Sequence, residues 1–198
     1  MSRRSLFAGL VGAMLVVGPA RADPVPAGLG SWEVLQEGDP WIGCTTVDAM
    51  PWCRSIGTID APVATIARLL EDHAGYPRIF TRITESRVLE PNVVHLTLDM
   101  PYPVANRDYV VRYDRSTEGQ EQVYRFQAVE HPDAPLGEAV RLIHAGGEWR
   151  ISAAEGNRTT VAYTWCGELR GDFPDWALPR AWGVQGNEVM DWLQAASQ

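Results

Sequence analysis

The sequence contains no lysine: all 17 of its basic residues are arginine. Schiff-base chemistry and a phosphate loop closed by a lysine are therefore excluded. Histidine is scarce, and the four present (His73, His95, His131 and His144) lack the spacing of a metal site. The Gly-x-Ser-x-Gly, His-Glu-x-x-His and Cys-x-x-Cys patterns are missing as well. The sequence thus assigns no catalytic residue, no metal and no cofactor. It also lacks internal repeats and low-complexity tracts. With 45% apolar and 21% charged residues over 198 positions, it has the makeup of one globular domain with a sizeable core.

Long apolar runs are rare too, and the one that stands out is at the N-terminus. Arg3 and Arg4 precede an apolar stretch from Leu6 to Val17, followed by Ala20-Arg21-Ala22 and Asp23. A basic start, a short apolar segment and a small-x-small cleavage site describe a signal peptide over residues 1–22. A membrane anchor would need roughly 20 apolar residues, more than this run offers. Ser2-Arg3-Arg4-Ser5-Leu6-Phe7 also fits a twin-arginine export signal, although an ordinary signal needs basic residues there as well. The expected product is a periplasmic or secreted domain over residues 23–198. Losing Arg3, Arg4 and Arg21 leaves it with a net charge of about −11. Such a surface repels phosphate backbones and anionic lipid headgroups, so nucleic acid is not an expected partner.

Only three cysteines occur: Cys44, Cys53 and Cys166. A two-residue turn at Asp48-Ala49 pairs Val47 with Met50, Thr46 with Pro51, Thr45 with Trp52, and Cys44 with Cys53. Counting outward, the cysteines fall on a non-hydrogen-bonded pair, where Cα atoms come within roughly 4.5 Å and a disulfide fits. The competing reading is two buried thiols in a reducing compartment. Cys166 is left as a small core residue.

Along the rest of the chain, Trp32–Gln36, Trp41–Val47 and Met50–Ile59 alternate like strands. Asp60-Ala61-Pro62 is a helix start in which Asp60 can cap, and Val63, Ile66, Ala67 and Leu70 recur at helical spacing. His73-Ala74-Gly75 ends that helix, and Tyr76–Phe80 forms a short second one. Strand signals then run to Cys166. Among them, Val140–His144 and Glu148–Ala154 flank Gly146-Gly147, which has the composition of a hairpin turn. Asp172-Phe173-Pro174-Asp175 starts a final helical segment to Ala196, with Pro179 either kinking it or marking its true start. About 22 residues at roughly 1.5 Å each would span roughly 33 Å. The expected class is α+β: a curved antiparallel sheet wrapped around a long C-terminal helix, with a short helical insertion after the third strand.

Several stretches resemble the START lipid-transfer family of the Bet v 1-like superfamily, over about Trp32 to Leu193. Pro101-Tyr102-Pro103-Val104-Ala105-Asn106-Arg107-Asp108-Tyr109-Val110 is similar to that family's proline turn, Arg-Asp pair and following strand. Gly147-Glu148-Trp149-Arg150-Ile151 resembles its Gly-Trp-x-Ile strand, with one residue inserted after the glycine. Gly171-Asp172-Phe173-Pro174-Asp175-Trp176 is similar to its Gly-x-x-Pro-x-Trp approach to the last helix. Asp60-Ala61-Pro62 and Tyr76-Pro77 fall where the family has its first helix and a Tyr-Pro step. The resemblance implies a helix-grip fold and a hydrophobic tunnel holding a lipid or sterol. It implies a monomeric, non-enzymatic carrier that touches membranes transiently. Covering about 400 Å² of apolar ligand at roughly 25 cal/mol/Å² supplies about 10 kcal/mol before association costs, so no charged anchor is required. The rival reading is a polyketide cyclase/aromatase-like enzyme on the same fold, with His95, Asp99 and Tyr102 as acid–base groups.

The ligand-facing candidates are Arg112, His95, Asp99, Tyr102, Trp149, Trp182, Val189 and Leu193. For Arg112 two readings compete. The resemblance puts a basic residue at its position inside the tunnel, whereas alternation puts Tyr109, Val111 and Tyr113 on the core face and Arg112 in solvent. His95 and Asp99 share a face with Val93 and Thr97, and serve either a buried Arg112 or a wet outer surface. Arg107 and Asp108 are expected to hold the turn. Trp182, Val189, Trp192 and Leu193 face the sheet, as tunnel wall or as ordinary core. Asn157-Arg158-Thr159 forms a glycosylation sequon of little weight in a hairpin turn.

Overall fold

Turn chemistry at Asp48-Ala49 sets up the first sheet segment. The computed structural model describes residues 25–171 and 173–198, so the proposed signal peptide and Asp172 lie outside the described residues. Strand β1 (Glu33–Gln36) is followed by β2 (Trp41–Val47) and β3 (Met50–Ile59). Asp48 and Ala49 have φ of 50° and 64°, the two positive values that a tight hairpin turn requires. The register follows: Thr46 opposite Pro51, Thr45 opposite Trp52, Cys44 opposite Cys53. The two cysteines form a disulfide with Cα atoms 4.1 Å apart. Closing a loop of this length (sequence separation 9) contributes about 2–3 kcal/mol through the unfolded chain. Reduction is therefore expected to lower Tm by about 5–10 °C, and Cys44→Ala/Cys53→Ala by a similar amount. Scanning calorimetry with and without reductant checks it. An unchanged Tm would mean the bridge constrains nothing.

Helix α1 (Val63–Glu71) buries Ile66, Ala67 and Leu70, the apolar stripe of its sequence. Asp60 does not cap it: the N-cap is Pro62, and the Asp60 N–H instead bonds the Gln194 side chain at 2.9 Å. A turn at His73–Gly75 leads into α2 (Tyr76–Ile79). The meander follows as β4 (Ile83–Glu90), β5 (Val93–Leu98), β6 (Arg107–Glu118) and β7 (Glu121–Ala128). Then come β8 (Val140–Arg141), β9 (Gly146–Ala154) and β10 (Arg158–Cys166). Among the described residues ten strands form one curved sheet, ordered β1-β2-β3-β10-β9-β7-β6-β5-β4. All neighbours in that order pair antiparallel, and β8 alone runs parallel, beside the start of β6.

Gly146-Gly147 is not the hairpin turn its composition promised. Both glycines are inside β9, facing Gln127 and Phe126 of β7. A Cβ on Gly147 would lie 2.1 Å from the Thr164 carbonyl oxygen and 2.7 Å from the Phe126 ring. Glycine there serves close approach, a demand that dipeptide composition does not distinguish from a turn.

The last helix, α3 (Leu178–Ala196), has Pro179 in its first turn, so the proline marks the start and there is no kink. Its 19 residues span about 28 Å, enough to cross the sheet. Gly186 lets its backbone approach Ile42 of β2, where a Cβ would come within 2.8 Å of that side chain. Ser55 Oγ donates to the Gly186 carbonyl at 3.1 Å. Asn187 and Gln36 exchange amide hydrogen bonds, and Arg82 grips Glu188 with two bonds of 2.7 Å. Val189, Met190 and Leu193 complete the main core between helix and sheet.

A second, small core lies on the outer face, where residues 129–145 cover Val93 and Val110. Arg141 pins that cover by donating to both carboxylate oxygens of Asp108, at 2.9 and 2.6 Å, and His95 Nε2 lies 2.8 Å from the same group. Burial by itself would raise the Asp108 carboxyl, but Arg141 and His95 outweigh it and hold the group below its ordinary value of 3.8. The folded state therefore binds this proton more weakly than the unfolded chain. Its contribution is complete above the ordinary carboxylate range and fades as pH falls through the depressed value. Asp108→Asn is expected to lower stability at neutral pH and to flatten the acid limb of a stability–pH curve measured by urea denaturation. An unchanged acid limb would refute this assignment.

Candidate ligand-binding cavity

Alternation along the central strands places aromatic rings on the face that α3 covers. Tyr163 of β10 stands opposite Trp149 of β9, and Tyr113 of β6 opposite Phe126 of β7. The rings form a near-parallel floor: Trp149–Tyr163 centroids are 4.0 Å apart, and Phe126–Tyr163 6.3 Å. Phe80, just after α2, extends it by stacking on Trp149 at 5.9 Å. Above this floor α3 presents a stripe at helical spacing, Ala181, Gln185, Val189 and Trp192, with Ala177 just ahead of its first turn. The two surfaces do not meet everywhere. Between them is a cavity of about 310 Å³, at the small end of the roughly 300–1,000 Å³ of small-molecule pockets. Met100, Pro101, Leu169 and Phe173 border it on the loop side.

Its polar groups are few. Tyr76, Tyr109, Tyr113 and Tyr163 line it, and burial raises all four phenols above their usual range, so they stay neutral at physiological pH. Tyr76 donates to the Leu70 carbonyl at 2.8 Å. The Tyr109 hydroxyl has no hydrogen-bond partner among the described residues, and the side chain keeps some accessible surface because it faces the cavity. Glu188 is neutralised by its fork with Arg82. Arg180 lines the cavity from the first turn of α3. The arrangement can enclose an apolar body, stack against it and offer a small number of hydrogen bonds. No histidine, cysteine or aspartate is among the described lining residues.

Of the residues singled out from the sequence, Trp149 and Val189 are in this wall. Arg112 is not. It lies half-exposed on the other side of β6, 3.6 Å from Glu90, because Tyr109 and Tyr113 take the inner positions of that strand. His95 points to the outer face and its Asp108 contact, Asp99 is exposed, and Tyr102 is 98% exposed. At His95 this outer face is not wet: Arg141 of the 129–145 segment shares Asp108 with the imidazole, which is largely covered. Trp182 donates its indole N–H to the Gly167 carbonyl at 2.8 Å, sealing the end of β10 against α3. Leu193 is fully buried in the core beyond the cavity. Sequence reasoning passed over Tyr76, Phe80, Phe126, Tyr163 and Arg180. The aromatic alternation in β6, β7 and β10 was the available signal for the rings, and nothing local marked Arg180.

No protein-family model matches this sequence. An uncharacterized protein of Pseudomonas aeruginosa, PA1579, is 27% identical over 128 residues, which cover 62% of this chain. The chain spans 63% of the length of that curated relative, less than two thirds. Among solved structures, the STAR-related lipid transfer protein of Xanthomonas axonopodis superposes with a TM-score of 0.73 at 20% identity, covering 85% of this chain and all of that one. An aromatase/cyclase, Zhui of Streptomyces sp. R1128, gives 0.54 at 22% identity over 75% of this chain and 93% of its own. The architecture is the START-type helix-grip fold.

Proposed function

We propose that this helix-grip chain is a non-catalytic carrier that holds a lipid in the cavity between its sheet and α3, the ligand class being a sterol, a phospholipid or a fatty acyl lipid. The observation that carries the reading is an aromatic-lined space of about 310 Å³ beneath a helix that bridges the sheet. An apolar ligand gains its free energy there by leaving water, and the sparse hydroxyls orient it. The cavity mouth supports brief membrane contact by a monomer. Tyr102, 98% exposed, and Trp176, 84% exposed, adjoin the lining residues Pro101 and Ala177. Such rings suit the boundary between headgroups and acyl chains. An oxidising compartment, periplasmic or extracellular, is supported by the Cys44–Cys53 bridge and by the character of residues 1–22.

The second reading is a cyclase or aromatase acting on a polyketide, favoured by the shared fold of the Streptomyces enzyme. Acid–base work needs a group titrating near the operating pH within reach of substrate. The lining tyrosines are pushed away from that range and Glu188 is occupied by Arg82, which supports the carrier. Native mass spectrometry of protein purified from its own host, followed by solvent extraction, is expected to reveal one bound lipid per chain. Finding none, together with no binding of sterols, phospholipids or fatty acids in titration, ends the carrier reading.

A further inference from the structure

Arginine is fully engaged almost everywhere in this molecule. Each of the other described arginines has an ion pair, a hydrogen bond or a ring contact. Arg180 has none among the described residues, although the chain carries 25 acids against 17 bases. Its position adds to the oddity. Arg180 is in the first turn of α3, at the positive end of the helix dipole, where a cation is disfavoured and an anion favoured. It is also a lining residue of the cavity. The surroundings would not oppose an anion: the neighbouring carboxylate, Glu188, is held by two bonds from Arg82, and the lining phenols remain neutral.

We infer that the ligand is a single-chain anionic amphiphile, its apolar body lying on the floor of Phe126, Trp149 and Tyr163 and its acidic group held by Arg180 at the mouth. The inference rests on the carrier reading above and narrows it. The cavity volume of about 310 Å³, at the small end of small-molecule pockets, favours one chain or one ring system over two acyl chains. A guanidinium takes a carboxylate or a phosphate monoester through paired N–H donors, and burial of the chain supplies most of the affinity while the charge selects among ligands. Inside the cavity, the unpartnered Tyr109 hydroxyl and the Gln185 amide are further groups able to bond a ligand oxygen.

Trp149 and Trp192 line the cavity, so energy transfer from tryptophan to a bound polyene reports occupancy. Full-length mature protein is titrated with cis-parinaric acid and with its methyl ester, which differ only in charge. The acid is expected to bind at least tenfold more tightly. Arg180→Gln should weaken the acid about tenfold and leave the ester unchanged, while Arg180→Lys keeps most of the preference. Arg180 is exposed and unpartnered, so neither variant should alter folding, and matching circular dichroism melts verify this. Displacement by palmitate or hexadecyl phosphate, but not by hexadecanol, is the expected pattern. Equal affinity of wild-type protein for acid and ester, or full retention of the preference in Arg180→Gln, overturns this inference while the carrier reading stands. Failure of both polyenes, of sterols and of phospholipids to bind removes both.

Discussion

Arg107→Ala is expected to lower the free energy of unfolding by about 3–5 kcal/mol, read as a lower urea midpoint at unchanged slope. Arg107 is the first residue of β6, 1% exposed. Its guanidinium donates to the Ala105 carbonyl, to Leu169 at 3.0 Å and to Arg170 at 2.7 Å. A buried guanidinium is tolerated because several of its N–H groups find acceptors. Truncation leaves those carbonyls without a donor and opens a void, so two costs add. Lysine cannot replace the fork, because a single ammonium does not reach carbonyls on both sides of the plane. Arg107→Lys should lose about half as much. Because Leu169 also borders the cavity, ligand affinity should fall in both variants. A loss below about 1 kcal/mol in Arg107→Ala would show that the three carbonyls find solvent instead.

The largest functional effect is expected from filling the cavity. Ala181 is on the lining stripe of α3 and presents only a methyl group to the space. Ala181→Trp would place an indole where the ligand body should lie. Ligand affinity is expected to drop a hundredfold or more, equivalent to about 2.7 kcal/mol or greater. The Tm should stay within about 4 °C, because the added ring enters existing space and contacts other apolar rings instead of overpacking a filled core. That combination separates a cavity from a core. If Ala181→Trp instead unfolded the protein, the space would be too small to admit a side chain, and hence too small for a ligand. If affinity were unchanged, binding would occur elsewhere.

Much of the sheet was legible because strand rules are local. Two positive-φ positions at Asp48 and Ala49 set the hairpin register, and the register alone brought Cys44 to Cys53. Alternation in β6 correctly pointed Arg112 outward, where it pairs with Glu90; the family resemblance had suggested the opposite. Errors arose where one residue type meets different demands. Gly146-Gly147 has turn composition, but Gly147 answers a long-range requirement set by Phe126 and Thr164. Asp60 has the chemistry of a helix cap, yet its backbone bonds Gln194 on the far helix and its side chain caps nothing. His95 was open to two readings, beside a buried Arg112 or on a wet outer face, and fits neither, because its strand gave no hint that Arg141 would be laid across it to share Asp108.

The order of elements, the hairpin register, the disulfide and the class of fold were contained in the residues themselves, because periodicity and turn geometry act over a few neighbours. The start of the last helix was not, since residues 172–175 and Pro179 both carry start signals and the helix begins only at Leu178. The cavity was not. Val189 and Leu193 are one helical turn apart and equally apolar, yet the first borders empty space and the second fills the core. Which of them does which depends on how far α3 stands from the sheet, and that is set in mid-helix by Gly186 against Ile42 and, two residues on, by Glu188 against Arg82. A void is the remainder of many packing distances, so it belongs to no residue and can be found only after all of them are in place.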